Sequence, residues 1–175
     1  MRSPPSPTPA WREGGFPSRW QDPGRESDRP PTTARIEDMA YRVLSHTADT
    51  GIEATGHTPA GLIEVLALGM FELMARCEPS ADRRTLTFRV DARSIEDLVV
   101  DILSELLFRS ETEDLAFCEF RVTLEAGMNA ADVETVGIPV HEVEPTGPPI
   151  KAVTYHDLTV EQRDGLWYGR VYFDV

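Results

Sequence analysis

The chain has 175 residues, of which 41% are hydrophobic, and its formal net charge is −13. This length is typical of one domain, and so acidic a chain repels phosphate backbones, which argues against unaided binding of nucleic acid. No apolar run approaches the ~20 residues that span a bilayer, and no signal peptide is recognisable, so we expect a cytoplasmic protein with no membrane contact. The acidic surface suits a basic partner or cations, although such surfaces also simply maintain solubility.

The first 35 residues differ from the rest. They contain eight of the 14 prolines and six arginines against four acids, a net +2, so the remainder carries −15. Such a segment buries too little apolar area to offset its ordering entropy. We predict a disordered extension over 1–38 and a folded domain over 39–175, with Met39 a candidate start of translation.

The first regular elements are two strand segments and a helix. Alternating patterns predict strands at 41–44 and 51–54. Thr58 as N-cap and Pro59 at the first helical position begin a helix over 59–76, whose apolar residues recur at helical spacing.

A similar succession follows. Residues 85–90 alternate as a half-buried strand, Ser94 caps a second helix over 94–110 with two acids in its first turn, and 120–124 alternate again. The order strand, helix, strand occurs twice, which indicates two similar halves, although their sequence identity is too low to establish a repeat.

The rest of the chain is dominated by strands. Residues 127–149 are less regular and end in a loop rich in Pro and Gly, whereas 150–160 and 167–175 read as strands joined by a turn at Asp164-Gly165. We therefore predict an α+β domain with two helices packed on one face of a mainly antiparallel sheet.

The two cysteines are far apart in the sequence. Cys77 and Cys118 lack the CxxC spacing and lie in apolar surroundings, so we expect buried reduced thiols, as is usual in a reducing compartment.

Familiar catalytic motifs are absent, including Gly-rich phosphate loops, GxSxG and HExxH. One candidate site is the run Ser-His-Thr-Ala-Asp at 45–49, between two strand segments. It reads most simply as a turn, because Ser, Thr and Asp hydrogen-bond their own backbone. The functional interpretation makes Asp49 an oxygen ligand of a hard cation, with His46 as a nearby donor or alternate ligand.

The C-terminus is a second candidate. Strand alternation turns Asp174 away from the core, where a carboxylate is usually just solvated. Joined to Asp49, however, Asp174 and the carboxylate of Val175 would supply several oxygens to Ca²⁺ or Mg²⁺.

A third candidate is the lysine at 151. Lys151 is the only lysine, against sixteen arginines, and a compact ammonium is a charge that arginine does not mimic; survival by chance on a strand face is an even alternative. His156 and Asp157 are a candidate acid–base pair, although adjacent strand residues point to opposite faces.

Together these segments resemble the archease family. The run 44–52 (LSHTADTGI) is similar to the family's N-terminal signature, and 97–107 (DLVVDILSELL) to its second helix. The segments 150–156 (IKAVTYH) and 171–175 (VYFDV) also match, in order and at suitable distances. Four ordered motifs make this resemblance specific.

The resemblance implies a small α/β protein that is built like a doubled strand–helix–strand–strand module and is not itself an enzyme. Archeases assist the GTP-dependent RNA ligase that joins 2′,3′-cyclic-phosphate or 3′-phosphate ends to 5′-hydroxyls in tRNA splicing and RNA repair, promoting its guanylylation and repeated turnover. The resemblance places the family's divalent-metal site (Ca, Mg or Mn) on Asp49, Asp174 and Val175, and the family's important lysine on Lys151. It assigns no firm role to His46 or His156.

Two other functions stay open at this point. A stand-alone metal-dependent phosphoesterase would use Asp49, His46, His156 and Asp157, but the chain has no nucleophile motif. A general acidic chaperone or scaffold would bind many partners and would not need the matched polar residues.

Overall fold

The structure is a computed structural model that describes residues 41–45 and 50–175. The predicted extension over 1–38, Met39 and the run from His46 to Asp49 lie outside these residues. Two helices are present, α1 (Pro59–Met74) and α2 (Ile95–Glu113). The strands, in chain order, are β1 (Tyr41–Ser45), β2 (Thr50–Gly56), β3 (Ala75–Arg76), β4 (Arg84–Asp91), β5 (Leu115–Leu124), β6 (Ala130–Pro139), β7 (Glu144–Pro145), β8 (Ala152–Arg163) and β9 (Leu166–Asp174).

The strands form two main antiparallel sheets. One has the order β1-β2-β9-β8 and the other β4-β6-β5, while β3 and β7 form a short two-stranded ribbon. The predicted α+β class with two helices and mainly antiparallel strands is therefore confirmed. The structure adds that the strands divide between two sheets.

The topology contains the same unit twice. In sequence order, β4, α2, β5 and β6 make a strand–helix–strand–strand unit with sheet order β4-β6-β5. The elements β2, α1, β8 and β9 repeat that arrangement with sheet order β2-β9-β8. The β4-α2-β5-β6 unit is inserted between α1 and β8 of the other unit, which explains why no simple tandem repeat is visible in the sequence.

Both helices begin where the sequence predicts. Thr58 Oγ1 accepts a hydrogen bond from the Gly61 N–H at 3.0 Å, and Ser94 Oγ accepts one from the Asp97 N–H at 3.1 Å. These caps satisfy backbone donors that have no partner within the helix. The helices pack their apolar faces against the sheets around one core, whose fully buried members include Ile52, Leu62, Leu66, Ile102, Leu103, Phe117 and Phe173.

The predicted ends of both helices are wrong. Helix α1 ends at Met74, not 76, because Ala75 and Arg76 pair with Pro145 and Glu144 as strands. Helix α2 continues to Glu113, three residues beyond the prediction, and ends at Asp114 in the left-handed conformation (φ 54°).

Strand β6 (Ala130–Pro139) was missed by the sequence analysis, which treated 127–149 as irregular. It is the central strand of its sheet, with β4 on one side and β5 on the other. Most of its residues are buried irrespective of face, so the alternation that marks a half-buried strand is weak.

The cysteines also differ from expectation. Cys77 and Cys118 form a disulfide across a sequence separation of 41, with Cα atoms 6.1 Å apart. The prediction of two reduced thiols is therefore wrong for this structure, because the fold brings together residues that no sequence spacing relates.

No helix within the described part of the chain is long and apolar enough to cross a membrane.

Candidate functional site

Three predicted site residues lie together at one end of the four-stranded sheet, where β9 ends and β8 begins. The Lys151 main-chain N–H donates a hydrogen bond to the Asp174 carbonyl oxygen at 2.8 Å. The Lys151 Nζ donates to the main-chain oxygen of Val175 at 3.0 Å. Lys151 thus meets Asp174 and Val175, which lie 23 and 24 positions later in the sequence. They meet because β8 and β9 are antiparallel neighbours, with Ala152 opposite Asp174.

Asp174 faces solvent, as the alternation of β9 predicts. Val171 and Phe173 on the opposite face are fully buried, whereas Asp174 is exposed. Tyr172 shares the face of Asp174 but is buried. A Cβ on Gly51 would lie 2.8 Å from the Tyr172 ring, so the ring packs directly over this glycine in the neighbouring strand.

Asp49 and His46 lie outside the described residues. The nearest described residue is Thr50, which pairs with Phe173 at the start of β2. Phe173 directly precedes Asp174, so Thr50 lies at the same end of the sheet as Asp174.

The other predicted histidine lies in an irregular part of β8. The pairing of β8 with β9 shifts between Thr154 and Thr159, and Asp157 within this bulge has a positive φ of 48°. The bulge breaks the alternation on which the sequence argument relied. As a result His156 Nε2 lies 4.0 Å from Asp157 Oδ2, with both side chains exposed, and the His156 ring lies 5.8 Å from the Tyr172 ring.

Acidic residues of α2 face the same bulge. The exposed Tyr155 donates a hydrogen bond from its hydroxyl to Asp97 Oδ1 at 3.2 Å. The pKa of Asp101 is raised mainly by desolvation and, to a smaller extent, by the nearby negative charge of Asp97. Desolvation and the bond to Asp97 likewise raise the pKa of Tyr155. Sequence reasoning missed this contact because it joins residues 58 positions apart.

A groove of about 740 Å³ runs from Lys151 along α2. Phe108 and Val140 on its wall are 60% and 44% exposed, which is unusual for large apolar side chains. The carboxylates of Glu111 and Asp114 also line it. The sequence contained one signal of this exposed apolar surface. Phe108 directly follows the apolar stripe of α2 but does not belong to it.

The described residues contain no group of three His, Cys, Asp or Glu side chains that could hold a metal. At the end of β9 they offer the exposed side chain of Asp174 and the main-chain oxygen of Val175. Both are oxygen donors, which hard divalent cations prefer, and neither is a ligand selective for soft metals.

The chain is similar to known proteins over most of its length. A profile of the Archease protein family matches residues 41–175. The sequence is 32% identical over 132 residues to protein archease of Thermococcus gammatolerans, covering 71% of this chain and 91% of that protein. It is 32% identical over 139 residues to protein archease of Methanosarcina mazei, covering 77% of this chain and 95% of that protein.

Solved structures show the same fold. The solution structure of protein 1598 from Methanobacterium thermoautotrophicum superposes with a TM-score of 0.59 at 28% identity, covering 77% of this chain and 98% of that one. The crystal structure of an archease from Thermotoga maritima, described as a possible chaperone, superposes with a TM-score of 0.56 at 23% identity, covering 77% of this chain and 96% of that one.

Proposed function

Because the chain belongs to the archease family, we propose that it is a non-catalytic accessory protein of a GTP-dependent RNA ligase. In this role it promotes guanylylation of the ligase and its repeated turnover during tRNA splicing and RNA repair. The observation that carries the proposal is the meeting of Lys151, Asp174 and Val175 at the end of the four-stranded sheet. All three lie in the sequence segments that resemble the family.

A divalent cation, Ca, Mg or Mn, would be held by oxygens of Asp49, Asp174 and Val175. The exposed carboxylate of Asp174 and the main-chain oxygen of Val175 fit such an ion by donor type. Asp49 is included because Thr50, the next residue in the sequence, pairs with Phe173 at this end of the sheet. When bound, the ion would orient phosphate oxygens and offset their negative charge.

Lys151 is the cationic group of the proposed site. Its ammonium contacts the oxygen of Val175 and its side chain is exposed, so it can exchange that contact for one with a partner. In the assembled complex we assign it a contact with the leaving pyrophosphate or with a carboxylate of the ligase. A preorganised positive charge next to developing phosphate charge lowers the barrier to transfer.

The groove beside Lys151 supplies the contact surface. Exposed Phe108 and Val140 offer apolar area, and Glu111 and Asp114 make the surroundings negative. A ligase segment with an apolar anchor flanked by Arg or Lys complements both features. Docking there would bring the end of the sheet carrying Lys151 and Asp174 to the nucleotide pocket of the ligase.

The test is multiple-turnover RNA ligation by substoichiometric ligase in GTP and divalent metal, with and without this protein. Wild-type protein is expected to stimulate turnover, and Lys151→Ala and Asp174→Asn to lower that stimulation at least tenfold, because each removes a charge from the site. Asp164→Asn is the matched control, since this exposed aspartate lies in the turn at the other end of β9. Full stimulation by Asp49→Ala/Asp174→Ala would show that the metal site is not used.

The rival functions give different results in parallel assays. A phosphoesterase would hydrolyse a phosphoester without ligase and lose that activity in EDTA. A general scaffold would keep its binding after Asp49, Asp174 and Lys151 are all neutralised. Neither result is expected from an accessory protein that acts through this site.

A further inference from the structure

The disulfide lies apart from the site described above. It joins Cys77, directly after β3, to Cys118 in β5. Cys118 lies at a bulge, because Phe117 pairs with Gly137 while Glu119 pairs with the next residue along β6, Val136. The crosslink therefore ties the segment that leaves α1 and β3 to an irregular position in an edge strand.

Both sulfur-bearing residues line a cavity of about 640 Å³. Cys77 and Cys118 are only 9% and 7% exposed, so most of their surface is covered. The cavity offers a route to the disulfide, and its size is that of a typical small-molecule site. A molecule of a few hundred daltons fits such a space, whereas another folded protein does not.

The cavity lining combines an apolar floor with a polar rim. Leu68, Phe71 and Phe117 form the apolar part. Glu72 and Arg76 add a charged group of each sign to the lining, and Arg76 also forms an ion pair with Glu144 at 3.2 Å. Polar groups of both signs beside an apolar floor suit a small thiol that carries carboxylate and ammonium groups, as peptide-like thiols do.

We propose that Cys77–Cys118 is a thiol–disulfide exchange site for low-molecular-weight thiols. A thiolate attacks one sulfur, the bond between the two cysteines breaks, and the other cysteine leaves as a thiolate that takes up a proton. A second thiol then displaces the first, which yields two cysteine thiols and one small-molecule disulfide. Two electrons pass from the two small thiols to the protein disulfide.

A second contact holds the two chain segments together during this exchange. Arg83, six residues after Cys77, forms an ion pair with the buried Glu119, the residue after Cys118. The two chain segments therefore remain joined when the disulfide opens. The reduced protein stays folded and the pair re-forms when the small-molecule disulfide is in excess.

The first experiment uses the full chain purified without reductant. It is incubated under native conditions with reduced glutathione, quenched with acid, alkylated and weighed by intact mass spectrometry. Two alkylated thiols are expected to appear together and to disappear again with oxidised glutathione. The reduced form is expected to unfold cooperatively at a melting temperature lower by roughly 10 °C. Without the crosslink, the unfolded chain is no longer closed into a loop and has more conformational entropy.

Matched variants and probes test the route through the cavity. Ala75→Leu adds bulk to the cavity lining and is expected to slow reduction at least tenfold, whereas Ala126→Leu at an exposed turn leaves the rate unchanged. A poly(ethylene glycol) thiol, which has the same reactive group but is too large for the cavity, is expected to react at least tenfold more slowly than glutathione. Cys118→Ser is expected to leave Cys77 able to trap one glutathione as a mixed disulfide.

Two results overturn the proposal. One is that the cysteines remain unbonded even in oxidised glutathione, or exchange only in denaturant. The other is that the polymer thiol and glutathione reduce the protein at equal rates with no effect of Ala75→Leu, which would exclude the cavity as the route.

Discussion

Glu64 is a partly buried acidic residue whose environment strongly changes its pKa. It lies on α1, and its carboxylate accepts a hydrogen bond from the main-chain N–H of Val122 at 2.8 Å. Val122 is in β5, an edge strand, so this contact satisfies a donor on its open side. Burial raises the pKa of Glu64 to about 7, although the bond from Val122 and the nearby Arg121 oppose the increase.

This pKa makes stability depend on pH. The folded protein holds the Glu64 proton more tightly than the unfolded chain, whose pKa is near the ordinary 4.5. Stability from this group is therefore complete below about pH 4.5 and is lost as pH rises through about 7. The loss arises because an ionised carboxylate is desolvated at this position.

We expect Glu64→Gln to be more stable than the wild type at pH 8 by about 1–3 kcal/mol, with the difference shrinking towards pH 5. Glutamine keeps an oxygen acceptor for Val122 and has no charge to desolvate. Urea unfolding at pH 5, 6, 7 and 8 measures this difference. Glu113→Gln at the exposed end of α2 is the control and should keep the wild-type pH profile; a difference that does not vary with pH would show that Glu64 does not titrate as inferred.

At the scale of elements, the two helices are held at their starts by the same device. Thr58 and Ser94 each accept a hydrogen bond from a main-chain N–H three residues later. The start of α2 also contacts the candidate site. Asp97 in the first turn of α2 accepts a hydrogen bond from the hydroxyl of Tyr155 in the β8 bulge. The capping residue thus positions one wall of the site as well as the helix.

We expect Ser94→Ala to lower the free energy of unfolding by about 1 kcal/mol, because it leaves a helix N–H without its acceptor. Ser80→Ala is the matched control. The Ser80 hydroxyl accepts a hydrogen bond from the Asp82 N–H at a similar distance of 3.0 Å. This hydrogen bond lies in a loop, where water can replace the serine hydroxyl. Thermal unfolding of both variants measures the contrast, and equal losses would contradict a specific role for the cap.

On the scale of the whole molecule, charge is the dominant property. The chain carries a formal −13, and the groove beside Lys151 adds an apolar surface with Glu111 and Asp114 at its margin. Long-range charge accelerates encounter with a basic partner, whereas buried apolar contact determines how long the complex lasts. These two properties are separable by experiment.

Raising NaCl from about 50 to about 500 mM is expected to lower the association rate constant with the ligase roughly tenfold, because salt screens charges beyond a few ångströms. Phe108→Ser, which leaves the charge unchanged, is expected instead to raise the dissociation rate constant. Surface plasmon resonance measures both, with Val43→Ser, another exposed apolar position, as the control. Salt-independent association would contradict electrostatic steering.

Features set by neighbouring residues were predicted correctly, whereas several features set by distant contacts were not. The caps at Thr58 and Ser94 and the turn at Asp164 and Gly165 are local, and all were predicted correctly. The end of α1 was wrong because β3 exists only through its pairing with β7, about 70 residues away. The histidine–aspartate contact in β8 was judged unfavourable because a bulge is not visible in an alternating pattern.

For the candidate site, the sequence identified the residue types but not their contacts. Lys151, Asp174 and Val175 were chosen from composition, alternation and family resemblance, and the structure adds the hydrogen bonds that join them. The groove around Phe108 and the contact of Tyr155 with Asp97 were not predicted, since each combines distant segments. The metal ligands and the role of Lys151 stay predictions.

The sequence by itself determined the fold class, the two helices, most strands and the family, because periodicity, capping and ordered motifs are properties of neighbouring residues. Tertiary structure alone decided the insertion of one strand–helix–strand–strand unit into the other, the central position of β6 and the pairing of Cys77 with Cys118. These features depend on which distant segments lie side by side. That choice is made by packing of the whole core, and no local pattern records it.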